Sequence, residues 1–260
     1  MKFLPIKIIC FILLMTVLGS CQRELQNGME LSGKTFNLKI DFKAVVDITP
    51  LQFNTPYKNF FQEPYTVSAF KFYIYNINLI NTDSNIVYHV SKSDYFLIDA
   101  SNSASTEISI KTMSYKYNYI SFAIGVDSAR NVSGAQTGAL DPTQGMFWTW
   151  NSGYIMAKLE GNSPLSNQPN SKFEYHIGGF KGAENVVENV LLAFPTRQGV
   201  EFLPGTSGTI TLNANVNAWF SNPNDIRIAV NPVCMTPGDL AKKIAENYSK
   251  MFTIAGIVNN

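Results

Sequence analysis

Charged side chains are scarce in this sequence. They make up 15% of its 260 residues, against roughly 25% in an average soluble protein, and the 20 lysines and arginines nearly balance the 19 aspartates and glutamates. Because there is no basic excess to attract a polyanion, nucleic-acid binding is not expected. The apolar fraction of 45% excludes disorder as the main state. This composition favours a β-rich exported protein.

The short motifs of common enzyme classes are also missing. The sequence contains no Gly-x-Ser-x-Gly nucleophile elbow, no His-Glu-x-x-His zinc motif, no Walker loop and no dinucleotide-binding fingerprint. Paired acids for glycoside hydrolysis meet only in the fold and leave no such motif. We therefore expect a binding protein without catalytic residues.

The longest apolar run lies at the N-terminus. Lys2 and Lys7 flank the start of the apolar residues 8–18, as in a secretory signal peptide, and the run is shorter than the roughly 20 residues of a membrane span. Leu18-Gly19-Ser20-Cys21 resembles the lipobox of bacterial lipoproteins. We predict a lipoprotein signal peptide over residues 1–20 and an anchor in outer-membrane lipid through Cys21. This places the protein in the cell envelope, on a side of the outer membrane that stays open; the alternative is an ordinary signal peptide with a chance cysteine.

Cysteine is too rare to support a disulfide framework. Of the three cysteines, Cys10 leaves with the signal peptide and Cys21 takes the lipid, so Cys234 is the one thiol left and no intrachain disulfide can form. The mature fold must then depend on its core. Residues 21–32 carry no periodic pattern and are interpreted as a tether, and residues 33–260 as one domain.

Alternation with a period of two dominates the rest of the chain and predicts a mostly β fold. Every second residue of Phe36–Phe42 is apolar, and Val67–Ile80 is a long aromatic and β-branched stretch. The other predicted strands are Asn85–Val90, Tyr95–Ile98, Glu107–Lys111, Tyr115–Val126, Gly153–Leu159, Lys172–Ile177, Asn185–Phe194, Thr209–Val216 and Asp225–Val230. Roughly ten strands at this spacing indicate an antiparallel β-sandwich.

One C-terminal helix is predicted to close the sandwich. Thr236 is placed to cap it and Pro237 to occupy its first turn. Leu240, Ile244 and Tyr248 then form one apolar stripe at helical spacing. We expect this stripe to cover a sheet face or an open sheet edge.

The segment between Asp127 and Gly145 consists mostly of loop formers, and loops of this length are usually functional or disordered. It leads into Met146-Phe147-Trp148-Thr149-Trp150, in which the two tryptophans would point the same way on a strand. The simpler alternative is that they fill the core. Asp127 and Asp141 have no EF-hand spacing, so turn formation is favoured over Ca²⁺ binding.

Several motifs in this region resemble a known family. They are GVDS (125–128), GALDP (138–142), GMFWTWNSGY (145–154), KLEG (158–161) and Tyr175-His176-Ile177-Gly178-Gly179. Together with residues 67–79 and 245–252 they are similar to the methanobactin-operon copper-binding protein family (MbnP-like), over roughly residues 34–256. The resemblance implies a β-sandwich in an exported copper protein, in which a diheme cytochrome c peroxidase-type partner oxidises one tryptophan to kynurenine.

The resemblance also implies a copper site with few candidate ligands. It assigns to the site His176 and either Trp148 or Trp150, and the choice between the tryptophans stays open. Met146 is added as a donor because soft thioethers suit Cu(I). Further donors considered are Met156, Met235, Cys234 and, outside any matching motif, His89. The competing function is a non-catalytic surface module that binds carbohydrate or protein through exposed aromatic side chains.

Overall fold

The computed structural model describes residues 23–25, 34–150, 153–196 and 198–259. The predicted signal peptide, Cys21 and most of the predicted tether lie outside these ranges. The described strands are β1 Arg23–Leu25, β2 Thr35–Val46, β3 Thr49–Pro50, β4 Tyr57–Lys58, β5 Pro64–Asn81, β6 Ile86–Ser91, β7 Phe96–Asp99, β8 Glu107–Met113, β9 Lys116–Tyr117, β10 Tyr119–Ile124, β11 Ala157–Asn162, β12 Lys172–Ile177, β13 Glu188–Ala193, β14 Val200–Glu201, β15 Ser207–Asn215, β16 Val233–Cys234 and β17 Phe252–Asn259. The α-helices are α1 Ser128–Asn131 and α2 Asp239–Tyr248, and short 3₁₀ turns cover Gly138–Leu140, Pro142–Gln144, Pro169–Ser171, Gly182–Glu184 and Val216–Phe220.

The larger sheet is organised around β5. One end of this strand pairs with β11 and β7, and the other end pairs with β10 and β6. The sheet continues through β12 and β16 on one side and through β13 beyond β10. Because β5 is 18 residues long, it can pair with β11 at one end and with β6 at the other, and it so joins strands that do not pair with each other.

The second sheet has the order β17-β15-β2-β8. Its central pair, β15 and β2, is parallel, whereas the other pairs are antiparallel. The predicted antiparallel sandwich is therefore correct in class, and the parallel pair between β2 and β15 is a departure from it. The parallel arrangement needs a long connection, which residues 47–206, with most strands of the larger sheet, supply.

Aromatic side chains join the two sheets. The ring of Phe42 on β2 lies 5.9 Å from that of Phe72 and 6.0 Å from that of Phe122, both on the larger sheet, measured between ring centroids. Phe252 on β17 completes the group at 5.0 Å from Phe122. These edge-on contacts are the geometry that aromatic quadrupoles favour. They show that alternating residues of both sheets face one shared core.

The C-terminal helix is confirmed, but its predicted start is wrong. Helix α2 begins at Asp239 and its N-cap residue is Gly238, with φ at 140° and no side-chain capping bond. A helix cannot continue through a residue with such a φ, so Thr236 and Pro237 lie before it. The stripe is buried as predicted at Ile244 and Tyr248, with Leu240 at its margin.

Two further predictions near the C-terminus need correction. Residues 225–230, predicted as a strand, form turns, because the backbone N–H groups of Ile228 and Ala229 bond to the Glu63 carboxylate. Strand β17 follows α2 and was not predicted; its apolar residues are interrupted by Gly256 and pair with β15. Among the described residues, none of the helices combines the length and apolar character needed to cross a membrane.

We expect Glu63→Ala to lower the free energy of unfolding by about 3 kcal/mol, because buried donors lose a charged acceptor. The Glu63 carboxylate accepts bonds from Ile228 N at 2.8 Å, Ala229 N at 3.1 Å and Asn59 Nδ2 at 2.7 Å. Urea titration followed by circular dichroism measures the change. The control Glu201→Ala removes an exposed carboxylate; equal losses in both variants would contradict the assignment.

Candidate functional site

The two predicted tryptophans lie on a hairpin that leads into β11. Phe147 forms a β-bridge with Tyr154, and Trp148 N–H donates to the Gly153 carbonyl at 3.2 Å. Ile155 N–H donates to the Met146 carbonyl at 2.9 Å. These backbone bonds fix the position of Trp148, although the pairing of Phe147 with Tyr154 is an isolated bridge outside the named strands.

Trp148 packs against bare backbone at the end of β12. A Cβ atom added to Gly178 would lie 2.4 Å from Cη2 of Trp148 and 2.9 Å from the Tyr154 carbonyl oxygen. Only glycine admits an indole ring this close to the main chain. Trp148 is 3% exposed as a result, and in the described part of the chain its Nε1–H has no hydrogen-bond acceptor.

The same contact brings Trp148 to the side of the chain that carries His176. In β12 the alternating residues Phe173, Tyr175 and Ile177 are buried in the core, while His176 faces outward. Residues two positions apart in an extended segment lie on the same face, so Gly178 lies on the same face of the chain as His176. Trp148 is nevertheless part of the buried hydrophobic cluster, so for this residue the simpler expectation of a core position is met, whereas Trp150 is exposed.

Trp150 has a different environment from Trp148. It is 63% exposed, and its ring centroid lies 5.7 Å from that of Trp148 with an interplanar angle of 42°. Residues 149 and 150 form a bend and not a strand, so the condition under which both indoles would point the same way is not met. The rings still touch, so an exposed indole covers a buried one.

Three polar side chains on β11 and β12 link the hairpin to the sheet. His176 Nε2 lies 2.7 Å from Glu160 Oε1, and Lys158 Nζ lies 3.6 Å from the same oxygen. Lys158 Nζ also donates to the Gly145 carbonyl at 2.7 Å. A continuous chain of contacts therefore joins His176 to the residue that precedes Met146.

The bond to Glu160 determines how the His176 ring can act. The hydrogen bond from His176, followed by the charge of Lys158, lowers the pKa of Glu160 against the effect of its partial burial. An ionised carboxylate only accepts hydrogen bonds, so Nε2 carries the proton, and in the neutral ring Nδ1 keeps its lone pair. Histidines that ligate metals are commonly held in this way by a carboxylate behind the ring.

The other candidate donors are distributed unevenly around this group. Met146 is fully buried at the base of the hairpin. The Met156 sulfur instead accepts the Val126 N–H at 3.1 Å, and the His89 ring bonds Asn78 on neighbouring strands. Burial raises the pKa of Cys234 to about 11, which keeps its thiol protonated and a poor metal ligand.

The loop between Asp127 and Gly145 is built from short helical turns. Asp127 caps α1 by accepting the Arg130 N–H at 2.9 Å, and Asp141 accepts the Thr143 N–H at 2.9 Å. The favoured interpretation of both aspartates as turn formers is confirmed. Across the residues that the structure describes, no three His, Cys, Asp or Glu side chains group into a metal site.

Sequence reasoning missed Glu160, Lys158 and the packing role of Gly178. KLEG (158–161) was recognised as a motif, but nothing along the chain shows that Glu160 and His176 lie on paired strands. The alternation of buried and exposed residues in Ala157–Gly161 is a signal for a half-buried strand. It could have placed Lys158 and Glu160 on one outward face.

Comparisons with known proteins agree with the resemblance noted above. The MbnP family model matches residues 35–236. A solved structure, MbnP from Methylosinus trichosporium, is similar at 15% sequence identity with a TM-score of 0.47, over 80% of this chain and 83% of that one. No curated protein matches.

We expect Gly178→Ala to displace the Trp148 ring and to lower the free energy of unfolding by about 1–3 kcal/mol, because the new methyl group overlaps Cη2. Tryptophan fluorescence should shift to longer wavelength as the indole becomes wetter. Gly256→Ala is the matched control, since its Cβ would meet no atom within 4 Å. An unchanged emission spectrum in the Gly178 variant would contradict the packing.

The Glu160–His176 contact should also be visible in the pH dependence of stability. A carboxylate whose folded pKa is lowered stabilises the fold above its unfolded pKa, here 4.5, and loses that contribution as the pH falls through its folded value. We expect Glu160→Gln to be less stable than the parent at neutral pH, with a difference that shrinks below pH 4.5. Urea titrations of both proteins across this range measure it. A difference independent of pH would show that folding leaves the Glu160 pKa unchanged, and would contradict the lowered pKa.

Proposed function

We propose that this chain, which belongs to the MbnP family, is an exported, membrane-anchored copper-binding protein without catalytic activity. The observation that supports the proposal most is the packing of Trp148 beside the outward side of β12, two positions beyond His176. Residues far apart in the sequence, which the family likeness assigned to one site, are thereby brought to one end of the sheet.

His176 is the proposed imidazole ligand. Glu160 occupies Nε2, so we infer that Nδ1 is the coordinating atom and that Glu160 orients the ring from behind. Met146, buried at the base of the hairpin, would supply a soft thioether suited to Cu(I). An imidazole and a thioether leave a coordination position to a further group.

We assign that further position to a kynurenine formed from Trp148. In this conversion two molecules of hydrogen peroxide each deliver one oxygen atom and are reduced to water; the C2–C3 bond of the indole breaks as C2 and C3 each gain an oxygen, and hydrolysis then releases C2 as formate. The product carries an aryl amine and a ketone, which can coordinate a metal as an intact indole cannot. The buried Nε1–H of Trp148, without an acceptor among the described residues, fits a site in which this nitrogen meets an added group. Nε1–H of Trp219 also has no acceptor among the described residues, but Trp219 packs between Phe70 and Tyr248 in the interior.

The oxidant is proposed to be a diheme cytochrome c peroxidase-type partner acting on peroxide. Trp150 is exposed and in ring contact with Trp148. The partner's oxidising centre would therefore approach Trp150, which touches the buried Trp148 ring. Anchoring through a lipid on Cys21 would hold the protein at the outer membrane, within reach of a partner in the cell envelope.

The test is production of the full chain with and without the diheme peroxidase, followed by peptide mass spectrometry and copper analysis after Cu(I) loading. We expect the kynurenine mass change at Trp148 only with the partner, together with bound copper. Trp148→Phe should abolish both the modification and the tightest copper binding. In Trp150→Phe, Trp148 should still be the residue that is modified.

The histidine assignment is tested separately with His176→Asn and Glu160→Gln. We expect the first to lose copper binding and the second to weaken it by about tenfold, the lower range for a residue behind a ligand. His89→Asn is the matched control and should bind as the parent does. Copper binding that survives His176→Asn, or an unmodified Trp148 in the presence of the active partner, would overturn the proposal.

A further inference from the structure

A polar cavity lies away from the candidate copper site. It has a volume of about 480 Å³ and shares none of its lining residues with the group around Trp148. Its wall is formed by the turn after β2, the turn between β4 and β5, the 3₁₀ turn 216–220 and the end of α2. Its lining includes Asp47, Lys58, Phe60, Gln62, Asn217 and Lys250.

The wall of this cavity is held in place by hydrogen bonds. Asn217 Nδ2 donates to Asp47 Oδ1 at 3.0 Å and to the Lys58 carbonyl at 3.2 Å. The oxygen of the same amide accepts the Tyr65 hydroxyl at 2.6 Å. Asp47 N–H in turn donates to Asn215 Oδ1 at 2.8 Å. One side-chain amide thus ties three separate segments together, so the cavity is formed before any ligand arrives.

The chemistry of the lining is that of a site for a charged, hydroxyl-rich molecule. Phe60 is 73% exposed, and the Phe61 ring supports it edge-on at 5.5 Å between centroids. Lys58 and Lys250 form no ion pair within 4 Å in the described part of the chain. Burial and the charge of Glu246 raise the pKa of Glu188, and the longer-range charge of Lys250 opposes this rise. Asp47 is the one acid in the lining, and one of its oxygens is occupied by Asn217.

We propose that this cavity binds an acidic sugar unit, a hexuronate of a glycan. The Phe60 ring packs against the apolar face of the pyranose, as aromatic side chains do in polar sites. The ammonium groups of Lys58 and Lys250 neutralise the carboxylate, and the free side chain of Gln62 bonds to hydroxyl groups. A neutral sugar would leave both ammonium groups unpaired, and a free inorganic anion would leave the aromatic ring unused.

The experiment is calorimetric titration of the full chain in detergent with tetragalacturonate and tetraglucuronate. Cellotetraose is the neutral control and inorganic phosphate the free-anion control. We expect at least one acidic tetrasaccharide to bind, cellotetraose to bind at least about tenfold more weakly, and phosphate not to compete. Phe60→Ala should weaken binding by up to about tenfold and Lys58→Gln by about threefold.

Lys92→Gln is the matched control, since it removes an exposed lysine outside the lining. The proposal is overturned if neither acidic tetrasaccharide binds, if phosphate binds equally well, or if Phe60→Ala binds as tightly as the parent. Because Phe60 is exposed, its loss leaves the core intact, and circular dichroism checks the fold of each variant. None of these results bears on copper binding, which involves other residues.

Discussion

The length of β5 is the constraint on which the rest of the structure depends. Its 18 residues pair in succession with strands from both ends of the larger sheet. Phe72 faces the second sheet, whereas the neighbouring Tyr73 packs against Tyr154 of the tryptophan hairpin. Every element of the candidate metal site is positioned from this strand: β11 pairs with it directly, β12 pairs with β11, and the tryptophan hairpin enters β11. A strand interrupted halfway would separate the two pairing regions and leave β11 and β12 without support.

Much of this fold could be predicted because its signals are local. Phe36–Phe42 and Val67–Ile80 alternate or run apolar for long enough to identify β2 and β5. The predictions failed where a distant partner determines the backbone. Residues 225–230 resemble a strand but are held in turns by the Glu63 carboxylate, which comes from a turn far earlier in the chain.

The candidate site was only partly predictable, for a related reason. His176 and Trp148 were identified because the family likeness carries motifs, and Met146 because thioethers suit Cu(I). The structure brings Trp148 to the strand that holds His176. What the sequence could not provide is the difference between the two tryptophans, since identical side chains two residues apart carry no mark of burial. The Glu160–His176 contact depends on the diagonal geometry of β11 and β12, which becomes visible only once their register is known.

The parallel pairing of β2 with β15 affects when the fold can form. Residues 35–46 come early in the chain, yet their neighbour on one side is residues 207–215, so the second sheet cannot be completed until almost all of the polypeptide has been synthesised. Contacts between such distant segments make folding slow. A nascent chain of this topology keeps the aromatic side chains of β2 without their neighbouring strand until residues 207–215 have been made.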